Sequence, residues 1–347
     1  MATKNGMKKL SNRTKVLIFI LFNVVSIALV FYFTFTPETL EALKGFNYPF
    51  LAVLFCVWLL SASTEALSFI CFIKGAGSSI GFFDSFQLTV IKNMFNVITP
   101  LNAGGHPVAI YALSRRGVPV GRGTSIVMTK MIIYSFVSLI GGVLSFFYYS
   151  RGLDEQSIIR TFFLITAGAF TLLMLFFFLV ISFPNRLIAV LAFIGGLFRK
   201  VRANPRAYRS MKRVLVHEVF ISRKSMRLYF HEHRGYFALG ILLTTVFYCL
   251  NVILLWVILR GMDLEIPFFR GCVLSAVQQA LLAFQPTPGG AGIGDGTFYL
   301  LFQENIPKHL MGIAILQWRF FSQYLSALAG SAFLGVFFSH RKEKVSE

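Results

Sequence analysis

The sequence predicts an all-α polytopic membrane protein with about six full spans and two re-entrant helical hairpins, arranged as an inverted repeat. The first observation is composition: 56% of the 347 residues are hydrophobic and 14% are charged, against roughly 25% charged in soluble domains. The second is a series of apolar runs of bilayer-spanning length. The third is a pair of glycine- and proline-rich breaks within apolar sequence, the first break at 99–107 and the second break at 286–292.

Several segments have the length of a transmembrane helix. At about 1.5 Å per residue, each can cross a hydrocarbon core of about 30 Å. The first follows a basic N-terminus, and no small-residue cleavage site comes after it, so we expect a retained membrane anchor rather than a signal peptide. The predicted spans are 16–35, 50–73, 124–149, 161–183, 236–259 and 310–338.

Two shorter or more polar stretches, 82–98 and 268–285, each run into one of the breaks. We interpret them as the first limbs of re-entrant hairpins; the alternative is a helix that lies in the membrane interface. Broken backbone is tolerated at membrane depth only where it is buried in protein or lines a cavity. Two such breaks in corresponding places predict a substrate site between two half-repeats.

The basic residues orient the predicted spans. The net charge is +19, and the basic residues are concentrated in the N-terminus (1–15), a loop (199–234), the tail (341–347) and the stretch before the third span, which holds Arg115, Arg116 and Arg122. We expect these four regions in the cytoplasm, with one transmembrane domain over 16–340. The first break then enters from the cytoplasm and the second from outside, as in an inverted repeat. The acidic connections expected outside are 36–47, 150–158 and 260–267.

The composition and motifs also exclude several kinds of site. Because the basic residues cluster between apolar runs, they indicate anionic lipid rather than nucleic acid, with a cytoplasmic protein at 199–234 as the alternative partner. The four cysteines form no CxxC pair, and no HExxH spacing is present, so we expect no disulfide and no metal site. No ATP motif is present, and the glycine run 289–296 follows no strand, so we expect no cofactor.

Ionisable residues within predicted spans are the main candidates for function, because each costs on the order of 3 kcal/mol to insert. Lys130 and Arg319 lie about seven to ten residues into their spans, where they could meet a lipid phosphate. The alternatives are a salt bridge to a buried acid, Glu65 or Asp295, and snorkelling to the surface. Glu65 and Asp295 are also candidate proton or ion carriers.

The residues around the breaks supply further candidates. Helices that begin after Gly105 and Gly290 could present free backbone N–H groups to an anion, or these small residues could serve close helix packing. The Gly141-Gly142 pair allows a homodimer face without showing one. The candidate headgroup ligands at the breaks are Gly104, Gly105, Gly289, Gly290, Asn102, His106 and Gln279.

The local order of residues is repeated around the two breaks. Each copy has a Thr-Pro pair, a glycine pair, a proline and then a basic residue within a span. The first copy uses Thr99-Pro100, Gly104-Gly105, Pro119 and Lys130, and the second uses Thr287-Pro288, Gly289-Gly290, Pro307 and Arg319.

Three motifs resemble those of the flippase-like transmembrane domain family. They are the run from Asn96 through Gly104-Gly105, the basic run from Ser114 to Pro119, and the run from Pro286 to Asp295. The family includes the N-terminal membrane part of the bacterial phosphatidylglycerol lysyltransferase, also called multiple peptide resistance factor. The similarity extends over roughly 15–340. His106 departs from a frequent acidic residue of the family, and Asp295 stands where glutamate is usual.

This resemblance implies a bacterial inner-membrane protein that handles lipid headgroups, with re-entrant helices meeting at a central cavity. In fused members a separate soluble domain performs lysyl transfer; this sequence contains none, so we do not expect an enzyme. The expected function is a lipid translocase for an anionic or aminoacylated phospholipid, or for an isoprenoid-phosphate-linked lipid. The alternatives are the membrane component of a lipid-modifying enzyme system and a membrane scaffold that does not transport.

Overall fold

The computed structural model describes residues 49–149, 228–229, 232–282 and 287–339, together with Tyr32 and six isolated positions between 161 and 172. Every regular element in these ranges is a helix, which confirms the predicted all-α class. Nearly all of the predicted spans 16–35 and 161–183 and most of the basic loop 199–234 lie outside the described residues, as does the tail 341–347.

The first half of the described chain contains two long helices with two shorter ones between them. Helix α1 begins at a proline, where the missing backbone N–H costs nothing, and ends at Gly75; Gly77 beyond it adopts a positive φ of 75°. The elements are α1 (Pro49–Gly75), α2 (Phe82–Val97), a 3-10 turn (Pro100–Asn102), α3 (Gly105–Arg115) and α4 (Val120–Tyr149).

The second half has the same order of elements. Its last helix is divided by a π turn, and helices α8 and α9 continue on either side of this turn with helical backbone angles. The elements are α5 (Arg234–Gly261), α6 (Phe268–Leu281), a 3-10 turn (Pro288–Gly290), α7 (Ile293–Phe302), α8 (Lys308–Arg319), the π turn (Phe320–Tyr324) and α9 (Leu325–Ser339).

Three helices of the described ranges, α1, α4 and α5, are long and apolar enough to cross a membrane. Their most apolar windows have mean hydropathies of 1.9, 1.9 and 2.4. They correspond to the predicted spans 50–73, 124–149 and 236–259. Apolar length was therefore a sufficient signal for these elements.

The backbone repeats itself over a distance of 188 residues, counted from Thr99 to Thr287. Each threonine has extended backbone, with φ of −118° and −93°, and precedes a proline. The residue after the proline is left-handed in both copies: Leu101 has φ 59° and ψ 16°, and Gly289 has φ 62° and ψ 15°. The same interval relates the first residues of α3 and α4 to those of α7 and α8.

This register differs from the one suggested by sequence, which matched Gly104-Gly105 with Gly289-Gly290. In the structure, Leu101 and Asn102 correspond to Gly289 and Gly290, and all four have positive φ. Glycine adopts this conformation freely, whereas leucine rarely does. The glycine pairs therefore marked the two breaks correctly but not their equivalent positions.

Helix packing follows the same repeat. Helix α1 packs along its counterpart α5, while α2 packs along α9 and α6 packs along α4. The last two contacts are equivalent, because α6 corresponds to α2 and α8–α9 corresponds to α4. The two 3-10 turns also contact each other, with Cα atoms within 8 Å. The two breaks therefore meet where the halves join.

Two glycines allow α3 to fold back against α2. The N–H of Gly104 donates to the hydroxyl of Thr99, and the N–H of Gly105 donates to the side-chain oxygen of Asn96, both at 2.9 Å. A Cβ on Gly104 would lie 2.6 Å from a side-chain carbon of Thr99. A Cβ on Gly105 would overlap both the Asn96 side chain and the carbonyl oxygen of Lys92.

The Gly141-Gly142 pair also serves close packing within the chain. Gly141 lies under the Tyr248 ring, and Gly142 lies against Ala280, so that a Cβ at either position would come within 2.6 Å of its neighbour. These contacts join α4 to α5 and α6. The predicted homodimer face at these glycines remains a prediction.

Replacing Gly105 with alanine is expected to lower the free energy of unfolding by about 1–3 kcal/mol, the usual cost of overpacking. The reason is that the Lys92 carbonyl belongs to the backbone of α2 and cannot move away as a side chain can. Thermal unfolding of the purified protein in detergent measures the effect. Gly296→Ala is the control, because Gly296 is an exposed helical glycine with open space around it. Equal midpoints for the two variants would contradict this account.

Candidate functional site

Two lysines and one glutamate meet between α1, α2 and α4. The Lys92 ammonium lies 2.5 Å from Oε1 of Glu65, and the Lys130 ammonium lies 3.2 Å from the same oxygen. The other carboxylate oxygen of Glu65 accepts a hydrogen bond of 2.9 Å from the Asn93 amide. We call these four residues the lysine–glutamate cluster.

The cluster is buried and carries an excess of positive charge. Glu65, Lys92 and Lys130 are 2%, 8% and 5% exposed, and two ammonium groups face one carboxylate. The Lys130 ammonium also lies 4.5 Å from the ring centre of Phe69 and 5.6 Å from that of Phe247. Cation–π contacts at these distances offset part of the cost of burying the second ammonium.

No other acid of the described ranges reaches this cluster. Three are paired elsewhere and three are exposed, so Glu65 is the sole carboxylate among the described residues that neutralises the two lysines. Asp84, Asp295 and Glu304 pair with Arg116, Arg319 and Arg270, and the exposed acids are Glu232, Asp263 and Glu265.

His106, in the first break, lies at the edge of the cluster and is half-buried. Burial, together with the nearby charges of Lys92 and Lys130, lowers its pKa to about 4, while the charge of Glu65 acts in the opposite direction. The imidazole is therefore neutral at pH 7 and adds no charge.

A second ion cluster holds the second break. Nε of Arg319 donates to Oδ1 of Asp295 at 2.5 Å, and its two terminal nitrogens donate to the carbonyl oxygens of Gly289 and Gly290 at 3.3 and 3.2 Å. Arg319 is fully buried. Oδ2 of Asp295 accepts the N–H of Gly292 at 3.1 Å and thereby caps α7. We call Arg319, Asp295 and these carbonyls the arginine–aspartate cluster.

Lys130 and Arg319 therefore pair with buried acids, which was the alternative to a headgroup role. Their partners are Glu65 and Asp295, the two acids expected from the sequence. The two clusters differ in net charge, since the arginine–aspartate cluster is neutral and the lysine–glutamate cluster is not. Lys92 is not among the site residues predicted from the sequence, because only the fold brings α2 against α1 at that point.

The backbone N–H groups of Gly104, Gly105 and Gly290 are already hydrogen-bonded within the chain. Those of Gly104 and Gly105 donate to Thr99 and Asn96, as described above, and that of Gly290 donates to the carbonyl oxygen of Thr287 at 3.0 Å. The sequence had suggested free N–H groups here. An anion that bound them would first have to displace these contacts.

The remaining candidate residues lie beside the breaks. Asn102 is half-buried within the first 3-10 turn, and Gln279 is half-buried near the end of α6. Its neighbour Gln278 is more deeply buried and donates to the carbonyl oxygen of Gly294 at 3.0 Å, which ties α6 to α7. In the described part of the chain, no three His, Cys, Asp or Glu side chains are grouped as metal ligands.

An open apolar groove lies between α4, α5 and α6, with a volume of about 380 Å³. Gly141, Leu144, Tyr248, Val252 and Ala276 are among its lining residues. The buried hydroxyl of Tyr248 has no hydrogen-bond partner among the described residues. A groove of this mainly apolar composition suits a hydrocarbon chain, and the Tyr248 hydroxyl is among the polar groups on its wall.

Aromatic residues connect the groove to the lysine–glutamate cluster. The Tyr134 ring lies 5.7 Å from Phe247 and 6.5 Å from Tyr248, and Phe247 in turn contacts Lys130. Lys130 and Gly141 are on the same face of α4 and about 16 Å apart along its axis, because eleven residues are close to three turns. The lysine–glutamate cluster and the groove thus lie on the same face of α4, at different positions along its axis.

The sequence matches the family described as the "Lysylphosphatidylglycerol synthase TM region" over residues 15–330, so the chain belongs to this family. It is also 24% identical over 322 residues to a protein of Archaeoglobus fulgidus that is described as "UPF0104 membrane protein". That match covers 90% of this chain and 94% of the relative. Family and apolar helices together identify a membrane protein.

Replacing Asp295 with asparagine is expected to lower the free energy of unfolding by about 3–5 kcal/mol, because it leaves the buried Arg319 guanidinium without a counter-charge. Thermal unfolding in detergent measures the loss. Glu304→Gln is the control, since the Arg270–Glu304 pair is 3.6 Å long and its side chains are 51% and 80% exposed, and exposed pairs contribute little. If Asp295→Asn unfolded at the wild-type temperature, the arginine–aspartate cluster would not support the fold.

Proposed function

We propose that this member of the lysylphosphatidylglycerol synthase TM family is a lipid translocase of the bacterial inner membrane. Its substrate would be an anionic or aminoacylated phospholipid, or an isoprenoid-phosphate-linked lipid. The observation that carries the proposal is the contact between the two breaks, one from each repeat, beside a buried cluster of excess positive charge. Broken helices that meet at a repeat interface are typical of substrate sites in transporters.

The proposed topology has six spans, both termini in the cytoplasm and two re-entrant hairpins. The spans would be α1, α4, α5 and α8–α9, together with 16–35 and 161–183. The hairpins would be α2–α3 and α6–α7, whose helices of 16, 11, 14 and 10 residues are each about 24 Å or shorter and cannot cross a core of about 30 Å. The loop charges favour entry of the two breaks from opposite sides.

A lipid is a better substrate than a soluble anion because of the groove. Its apolar wall lies on α4 and α5, two of the helices that are long enough to span the membrane. A lipid whose phosphate met Lys130 could lay an acyl chain along the same face of α4, past Tyr134 and Tyr248. The tail would then remain in an apolar environment while the headgroup crossed the protein.

We assign different roles to Lys130 and Arg319, the two basic residues that the sequence analysis proposed for the site. Lys130 would bind the headgroup phosphate, because it shares its single acid with a second lysine. Arg319 would hold the second break in position, because its nitrogens contact Asp295 and two backbone carbonyls. Transport would then proceed by rocking of one repeat against the other, downhill or coupled to an ion gradient, with Glu65 and Asp295 as the proposed ion carriers.

Reconstituted vesicles that contain fluorescent phosphatidylglycerol or fluorescent lysyl-phosphatidylglycerol test the translocase. An impermeant reductant should bleach the inner-leaflet lipid only where protein moves it outward. Wild-type protein should accelerate this phase for at least one lipid, and Lys130→Met should slow it at least about tenfold, as expected for loss of a buried charged contact.

The control is Lys74→Met, because Lys74 is an exposed lysine at the end of α1 and should leave the rate unchanged. No acceleration by the wild type would refute transport of these two lipids. Normal transport by Lys130→Met would remove Lys130 from the headgroup site.

A further inference from the structure

We infer that the lysine–glutamate cluster binds a single, singly charged phosphodiester anion, and that Lys92 binds it together with Lys130. This inference rests on the proposed function, because it names the class of headgroup that the translocase accepts. It adds Lys92 to the site and gives Glu65 a role in setting the charge that the site accepts.

The charge of the cluster sets the charge of its ligand. Lys92, Lys130 and Glu65 together carry one positive charge, and no second carboxylate of the described ranges neutralises it. Burial of an unpaired charge is strongly unfavourable. A phosphodiester brings one negative charge and makes the cluster neutral, whereas a phosphomonoester brings about −1.5 to −2 at pH 7 and would leave an excess of negative charge.

The geometry gives this anion donors. Both ammonium groups contact the same oxygen of Glu65, and each ammonium has three N–H donors. Glu65 therefore engages one donor of each lysine and leaves the others for a ligand that bridges Lys92 and Lys130. The rings of Phe69 and Phe247 cover one side of Lys130, which lowers the local dielectric and strengthens the contact.

Among its described residues, the second repeat has no equivalent site. Helix α6 begins 186 residues after α2, so the position that corresponds to Lys92 is Gln278, whose neutral side chain donates to the carbonyl oxygen of Gly294. The position that corresponds to Lys130 is Trp318, whose ring lies 5.4 Å from that of Phe298. The basic residue of this repeat, Arg319, is paired with Asp295 without excess charge. In the described part of the chain, the buried cluster with excess positive charge therefore lies in the first repeat.

Equilibrium binding to the purified protein in neutral detergent tests the inference without any transport step. The probes are phosphatidylglycerol, phosphatidic acid, diacylglycerol and inorganic phosphate, and native mass spectrometry or competition with a fluorescent lipid reports binding. The wild type should bind phosphatidylglycerol more tightly than phosphatidic acid or diacylglycerol. Inorganic phosphate should not displace phosphatidylglycerol, because it lacks the acyl chains that the groove holds.

Two variants change the charge of the cluster in opposite directions. Lys92→Met leaves a neutral Lys130–Glu65 pair and should weaken the binding of phosphatidylglycerol at least about tenfold. Glu65→Gln keeps the shape of the side chain, raises the cluster charge by one and should shift the preference toward phosphatidic acid. Lys92→Arg restores the charge if Lys92→Met fails to fold, and Lys74→Met is the matched control that should bind like wild type.

Unchanged phosphatidylglycerol binding by Lys92→Met, unchanged lipid preference in Glu65→Gln, or displacement of the lipid by inorganic phosphate would each overturn the inference. The translocase proposal fails separately. If lipids bind with the expected charge pattern but the wild type moves none of them in vesicles, the inference is supported and the translocase proposal is refuted. If lipids move but the charge variants bind like wild type, the translocase proposal is supported and the inference is refuted.

Discussion

The fold depends on hydrogen bonds that satisfy broken backbone inside an apolar bundle. At the second break, the guanidinium of Arg319 donates to the carbonyl oxygens of Gly289 and Gly290 and, through Nε, to Asp295. Without these donors the carbonyls would be buried and unpaired, which costs several kcal/mol in a membrane interior. The first break instead has backbone N–H groups that need acceptors, and the side chains of Asn96 and Thr99 accept from them.

The two breaks therefore use groups of opposite kind for the same purpose. One requires donors and takes them from a cation, which in turn requires the Asp295 carboxylate. The other requires acceptors and takes them from neutral side chains, so that no ion is needed. Because the first break is closed without charge, Lys92 and Lys130 are not occupied in holding it. They remain available for the carboxylate of Glu65 and, on our proposal, for a ligand.

Much of this fold could be predicted from local sequence, and the site only in part. Apolar length predicted α1, α4 and α5, and the glycine–proline clusters marked both breaks, because these signals act within a few turns of chain. The register of the repeat was missed, since nothing in the sequence indicates that Leu101 adopts a left-handed φ. Lys92 was missed as a site residue because its contact with Glu65 depends on how α2 packs against α1. The hairpin topology and the spans 16–35 and 161–183 remain predictions.

The second lysine of the cluster, Lys92, indicates that the first repeat has a role beyond stabilising its own fold. A structural ion pair needs one base for one acid, and the second repeat uses that minimum with Arg319 and Asp295. Lys92 adds a second buried ammonium to Glu65, which raises the free energy of the folded chain unless an anion compensates for it. A neutral side chain would fill the same space without that cost, as Gln278 does at the corresponding position. The imbalance is therefore better explained by a ligand than by packing, and the apolar groove farther along α4 makes that ligand a lipid.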